Sequence, residues 1–219
     1  MKFLYLPFLL STLFFIACDT PEKKQENYYI PPLNTEKSEK AGDYLMKGVT
    51  LINQDSLEEA IKMYDTAIDI DPYFSQAYSE RADARGRMGN FRVALLDCNK
   101  AVSLSPNKEA VFFARAEIEF NLMMLKETLT DLDKCIDMNS KYIKTYLARA
   151  SVYYLMRNFK ASLTDCETAI ELNPKRPESY IIRGEVYAAQ GVKQLACENF
   201  KKGKDLGAVL TADQKRLCD

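Results

Sequence analysis

No histidine occurs anywhere in the 219 residues of this chain, and that one absence removes both the commonest general base and the commonest metal ligand. Most familiar catalytic constellations fall with it, so neither an enzyme, a metal site nor a cofactor is expected. Charge of one sign is missing as well: 30 Lys plus Arg stand against 31 Asp plus Glu, with a pI near 5.8. No uncompensated positive field is left to hold a phosphate backbone, which argues against nucleic acid as a partner. The apolar run at 3–17 falls short of the ~20 residues that span a bilayer as a helix. What the chain does have is an apolar content of 47%, enough to rule out wholesale disorder.

The N-terminus stands apart from the rest. Lys2 precedes the apolar run Phe3 to Ala17, and Cys18 opens a strongly polar stretch, the pattern of an export signal. With the small residue Ala17 directly before a cysteine, residues 1–17 resemble a bacterial lipoprotein signal peptide, and that resemblance implies Cys18 as the lipidated residue. Phe15 departs from the aliphatic residue usual at its place. An uncleaved anchor helix is the alternative, disfavoured by length; either way the remainder lies outside the cytoplasm. Residues 18–40, rich in charge and proline, cannot bury enough surface to offset their ordering entropy and read as a tether. As a coil it would reach roughly 25 Å. The cluster Tyr28, Tyr29, Ile30, Pro31, Pro32 is a candidate polyproline docking segment, with plain linker the blander alternative.

From 41 onward the chain repeats itself at a shift of about 34 residues, giving frames 41–74, 75–108, 109–142, 143–176 and 177–210. An aromatic register reads Tyr44, Tyr78, Phe112, Tyr146, Tyr180; four residues on, a small register reads Gly48, Ala82, Ala116, Ala150, Gly184. Residues at i and i+4 share a helix face. Further small registers read Ala60, Ala94, Thr128, Ser162, Ala196 and Ala67, Ala101, Cys135, Ala169, Gly203, with Tyr64, Cys98, Leu132, Cys166 and Phe200 between them. Small side chains let two helices approach and the bulkier ones fill the gap, so each frame is a helical hairpin. Gly89-Asn90, Arg157-Asn158 and Gly191 mark turns between the two helices, and Pro72, Pro106 and Pro174 mark where second helices stop.

This spacing resembles the tetratricopeptide repeat over about three-quarters of the chain. The resemblance implies an all-α, right-handed superhelical solenoid of five helix-turn-helix units over 41–210, with first helices lining a concave surface that binds peptides or partner helices. Mapping that surface onto this sequence gives Gln76, Ser79, Asp83 and Arg87 in frame two, then Phe113, Glu117, Phe120, Leu147, Tyr154 and Leu155, and finally Ile181 and Glu185. The middle of the stripe is apolar, and contiguous apolar surface usually marks an interaction site. Packing between neighbouring frames is the competing explanation for each of these side chains. Arg81, Arg115, Arg149 and Arg183 recur sixteen residues before Asp97, Asp131, Asp165 and Asn199. They read as structural ion pairs rather than a basic recognition ladder, since an unpaired buried charge costs about 3–5 kcal/mol; Arg183 is the member expected to be free.

Cys98, Cys135 and Cys166 fall on core registers and read as compact hydrophobes. Residues 208–219 are expected to form the capping helix that a solenoid needs, bringing Cys218 near Cys197. In an oxidising compartment a disulfide between them is expected, two free thiols being the alternative. The expectation from sequence is therefore a protein-binding scaffold, lipid-anchored at the inner or outer membrane of a bacterial envelope with its repeats facing the periplasm. Its alternative is a binder of an envelope glycan or small ligand, for which Tyr153, Tyr154 and Tyr187 offer aromatic faces.

Overall fold

The computed structural model describes residues 35–139 and 141–218. The expected signal, Cys18 and most of the tether lie outside the described residues. Ten helices pair into five antiparallel hairpins: α1 (Thr35–Asn53) with α2 (Leu57–Ile70), α3 (Ser75–Arg87) with α4 (Phe91–Leu104), α5 (Glu109–Asn121) with α6 (Leu125–Met138), α7 (Ile143–Leu155) with α8 (Phe159–Leu172), and α9 (Pro177–Ala189) with α10 (Lys193–Asp205). A short α11 (Ala212–Cys218) packs on α10. Each second helix also packs on the next first helix, so the hairpins stack in chain order. The structure corrects one boundary. The tether expected over 18–40 is helical from residue 35, because Glu36 sits in the first turn, where a carboxylate meets the positive end of the helix dipole, and lies four residues before Lys40.

The small registers are where the helices cross. Ala60, Ala94, Thr128, Ser162 and Ala196 are all buried, as are Ala67, Ala101, Cys135 and Ala169. The first-helix small residue varies in step with the side chain it faces. A Cβ on Gly48 would collide with the Tyr64 ring, and one on Gly184 would lie 2.6 Å from the Phe200 ring. In the three middle hairpins, where alanine occupies this register, the buried side chain in the Tyr64 and Phe200 register is Cys98, Leu132 or Cys166. The largest side chains of this register thus stand opposite the glycines, and the smaller ones opposite alanine.

Within every hairpin one residue turns the chain in the left-handed region: Asp55, Gly89, Met123, Arg157 and Gly191, with φ between 58° and 80°. The following amide closes a six-residue ring to the first helix, as in Asn90 N–H to Arg85 O at 2.9 Å and Asn158 N–H to Tyr153 O at 2.8 Å, the Schellman arrangement. At the ends of second helices the side chains of Asp71, Asn139 and Asn173 accept from the amide two residues on, initiating the reversal into the next hairpin.

The arginines join hairpins as well as the helices within them. Arg81 donates through Nε and Nη2 to Asp97 at 3.0 and 2.6 Å, and its Nη1 reaches back to Asp65 of α2 at 2.6 Å. Arg149 repeats this with Asp165 and with Asp133 of α6. Arg115 does so with Asp131, but the previous hairpin supplies it with the neutral Asn99. Arg183 is not free: its Nε donates to Asn199 Oδ1 at 2.8 Å and its guanidinium lies over the Tyr180 ring. An amide there takes the place of the carboxylate. In the first hairpin Lys47 stands in the arginine register and lies over Tyr44 at 4.6 Å from the ring centroid.

Candidate concave binding face

Because first helices stack side by side, residues at equivalent turns of α3, α5 and α7 share one surface, and clefts open between neighbouring helices. Between α3 and α5 a cleft of 650 Å³ is lined by Gln76, Ser79, Glu80, Asp83, Phe113 and Glu117, with Tyr142 and Lys144 at its far side. Below it a smaller one of 270 Å³ lies among Gly86, Arg87, Phe91, Ile118 and Asn121. Between α5 and α7 a mainly apolar cleft of 240 Å³ is bounded by Ala116, Phe120, Ala148, Ser151 and Val152, with Leu132 and Thr128 as its floor. Glu117 lines all three.

Glu117 is therefore the hub of the face. Burial raises its carboxyl above the usual range and the nearby Asp83 adds to this, while Lys144 opposes it. Glu80 is likewise raised, by burial and then by Asp83. Asp83 is itself paired with Arg87 at 2.9 Å. The aromatic side chains are held in place: Phe113 meets Tyr142 edge-on at 5.5 Å between centroids, and Tyr154 leans on Phe159 at 6.3 Å.

The structure separates Phe113, Glu117, Phe120, Leu147, Tyr154, Ile181 and Glu185, which the register maps onto one groove. Phe113, Glu117 and Phe120 line clefts, and Tyr154 is half-buried on the same helix side of the next hairpin. Leu147 is buried at 7% exposure in a cluster with Tyr146 and Ala169, against which Ile182 packs. It is packing between repeats rather than open surface. Ile181 covers the flat face left by Gly203, its Cδ1 lying 2.7 Å from where a Cβ would stand. Glu185 accepts from Gln214 Nε2 of α11. Lys144, Ala148 and Ser151 also line these clefts, outside the residues mapped from sequence. Lys144 and Ser151 nonetheless occupy the registers of Gln76 and Asp83, a signal already present in the repeat. Tyr142 closes the third frame, in a register that holds Phe74, Lys108 and Arg176 and that the sequence mapping does not use.

Burial pushes the thiols of Cys98, Cys135 and Cys166 up to about 12, which keeps them protonated and unreactive. Among the described residues no group of acidic and cysteine side chains is placed to hold a metal ion. No described helix is long and apolar enough to cross a membrane. Cys197 and Cys218 are joined as a disulfide with Cα atoms 5.3 Å apart.

Stacked hairpins with small-residue crossings and clefts along one series of helices define a helical-repeat solenoid. The tetratricopeptide-repeat model matches residues 36–74 and 143–176, and the chain is a tetratricopeptide-repeat protein. A stretch of 68 residues, 31% of this chain, is 40% identical to RNA polymerase II-associated protein 3 of Rattus norvegicus. Matched stretches cover only 17% and 10% of the lengths of such relatives. Among solved structures, pilF of Pseudomonas aeruginosa superposes with a TM-score of 0.75 at 15% identity, over 83% of this chain and 82% of that one. YrrB, described as a TPR protein with an unusual peptide-binding site, superposes with a TM-score of 0.62 at 19% identity, over 78% and 89%. At these identities the likeness is one of fold.

Proposed function

We propose that this chain is a protein-interaction scaffold, tethered through a lipid on Cys18 to a bacterial envelope membrane, whose concave face holds a helix or extended segment of a partner protein. The tetratricopeptide fold itself supports a protein-binding role. The observation that carries the finer reading is the run of three adjoining clefts along α3, α5 and α7, sharing Glu117 and presenting Phe113 and Phe120. Apolar side chains of a partner would fill the space between Phe120 and Val152, while Glu117 and Lys144 orient its polar groups. The glycan reading has less support, because Tyr153 carries the Arg149 guanidinium at 5.8 Å from its centroid, which occupies a ring face a sugar would need.

In-cell crosslinking and affinity capture from envelope membranes tests this. The native chain is expected to bring down a discrete protein, and a folded Phe113→Ala, Phe120→Ala, Tyr154→Ala variant is expected to lose it. Equal capture by the variant would refute the concave site. Cys18→Ser is expected to release the chain from the membrane fraction, and its retention there would refute the anchor.

A further inference from the structure

We propose that the Cys197–Cys218 disulfide is a redox latch that fastens α11 over the C-terminal end of the concave face, and that a dithiol reductant opens it. This deepens the reading of that face as the partner site, and rests on it.

Very little besides the disulfide holds α11. Of its residues only Gln214 is buried; Ala212, Asp213, Lys215 and Arg216 are exposed and Leu217 is half-buried. Internally it is closed by a capping box, in which Gln214 N–H donates to Thr211 Oγ1 and Thr211 N–H donates to Gln214 Oε1. That device sets where the helix starts and adds nothing to its docking. A helix of this length is far below the roughly 12–15 residues at which helices persist alone in water, so once detached it would unwind.

What α11 covers is specific. Glu185 occupies the same register as Asp83 and Glu117, the carboxylates that line the open clefts of the second and third hairpins, and Gln214 Nε2 donates to its Oε1. With α11 in place Glu185 is half-buried and engaged by Gln214, whereas Asp83 and Glu117 are exposed; with it gone, Glu185 is presented as its counterparts are.

The surroundings favour reduction. Cys218 is exposed while Cys197 is half-buried, and both line an open cleft with Lys193, Glu198 and Lys201. A reductant thiolate attacks the accessible Cys218 sulfur, forming a mixed disulfide and expelling the Cys197 thiolate. Lys193 and Lys201, one helical turn before and after Cys197, stabilise that leaving thiolate; Glu198 opposes them. The second thiol of the reductant then displaces Cys218. The protein gains two electrons and two protons, and the dithiol leaves as its own disulfide.

Hydrogen exchange and carboxyl footprinting of the full chain, oxidised and after dithiothreitol, test this without any partner. Reduction is expected to speed exchange across 212–218 roughly a hundred-fold, the scale of a cross-link closing about 20 residues. Labelling at Glu185 should rise while labelling at Glu117 and exchange in α1 to α8 stay unchanged. Cys218→Ser should reproduce the reduced state without reductant. Protection of α11 that survives reduction, a disulfide that resists dithiothreitol in the native protein, or exchange that rises throughout the solenoid would each overturn the latch. The reading of the concave face is untouched by those results, since it stands or falls on the triple-alanine capture.

Discussion

Glu119 is the residue where the arginine staple goes wrong. In the second hairpin this register holds Arg85, which donates to Asp97 at 2.6 Å; in the third it holds a carboxylate instead, beside the Asp131 that already takes two nitrogens of Arg115. Glu119 is left 3.7 Å from Arg115 Nε, with Oε2 buried and unpartnered. Burial first and Asp131 second raise its carboxyl to about 7, against Arg115. Folding therefore favours the protonated form. Its contribution is most favourable in acid and is lost as pH rises from the ordinary carboxyl range through about 7, by on the order of 1–3 kcal/mol. Denaturant titrations from about pH 5 to pH 8 should show this decline, and Glu119→Gln should flatten it. A second prediction concerns the close crossing at Gly184. Gly184→Ala should destabilise by about 1–2 kcal/mol despite its better helix propensity, and Phe200→Leu in the same chain should recover most of the loss, measured as a double-mutant cycle. The arginine pairs were legible from spacing because both partners repeat. The reach back to Asp65 and Asp133 was not, since it depends on how one hairpin is rotated against the next.

At the scale of the helix and its turn, the period carried nearly everything. A repeat sampled five times fixes which faces meet, whereas single-hairpin deviations such as Thr128 or Gly203 would mislead if read alone. The start of α1 escaped because charge and low aliphatic content look the same in a linker and in the exposed first turns of a helix. The inner turns show a different economy. Three of the five left-handed positions carry a side chain, and Met123 at φ 59° is also largely exposed. Such a conformation costs an L-residue with a Cβ about 1 kcal/mol or more. Met123→Gly should therefore raise stability by about 0.5–1 kcal/mol in thermal or chemical melts, while Gly89→Met should lower it. The candidate face was only half legible at this scale: register predicts which helix turn points inward, but whether the side chain meets solvent or a neighbour depends on local packing, as Leu147 and Ile181 show.

Considered whole, the array is closed at both ends. Where inner first helices bury Ala77, Val111, Thr145 or Ser179 and Ala84, Ile118, Val152 or Val186 against the preceding hairpin, α1 exposes Asp43 and Thr50. Where inner second helices present Phe91, Leu125 or Phe159 and Val102, Ile136 or Ile170 to the following hairpin, α10 exposes Lys193 and Lys204. At the registers through which inner hairpins stack, both ends of the described residues therefore carry polar side chains, which disfavours the stacking of another copy although Met46 and Leu195 are exposed elsewhere on these helices. Sedimentation of the chain from residue 35 onward should give a monomer at all accessible concentrations, and a concentration-dependent ladder of oligomers would contradict this. The staples give the array one further property. Hairpins one and two, and hairpins three and four, are clasped by guanidinium–carboxylate bridges, whereas Arg115 meets the neutral Asn99 between two and three, and Arg183 makes its bond within the fifth hairpin, to Asn199. A load pulled along the solenoid would meet an ionic clasp at the first and third seams, and the second and fourth, which are joined without one, would be expected to part before them.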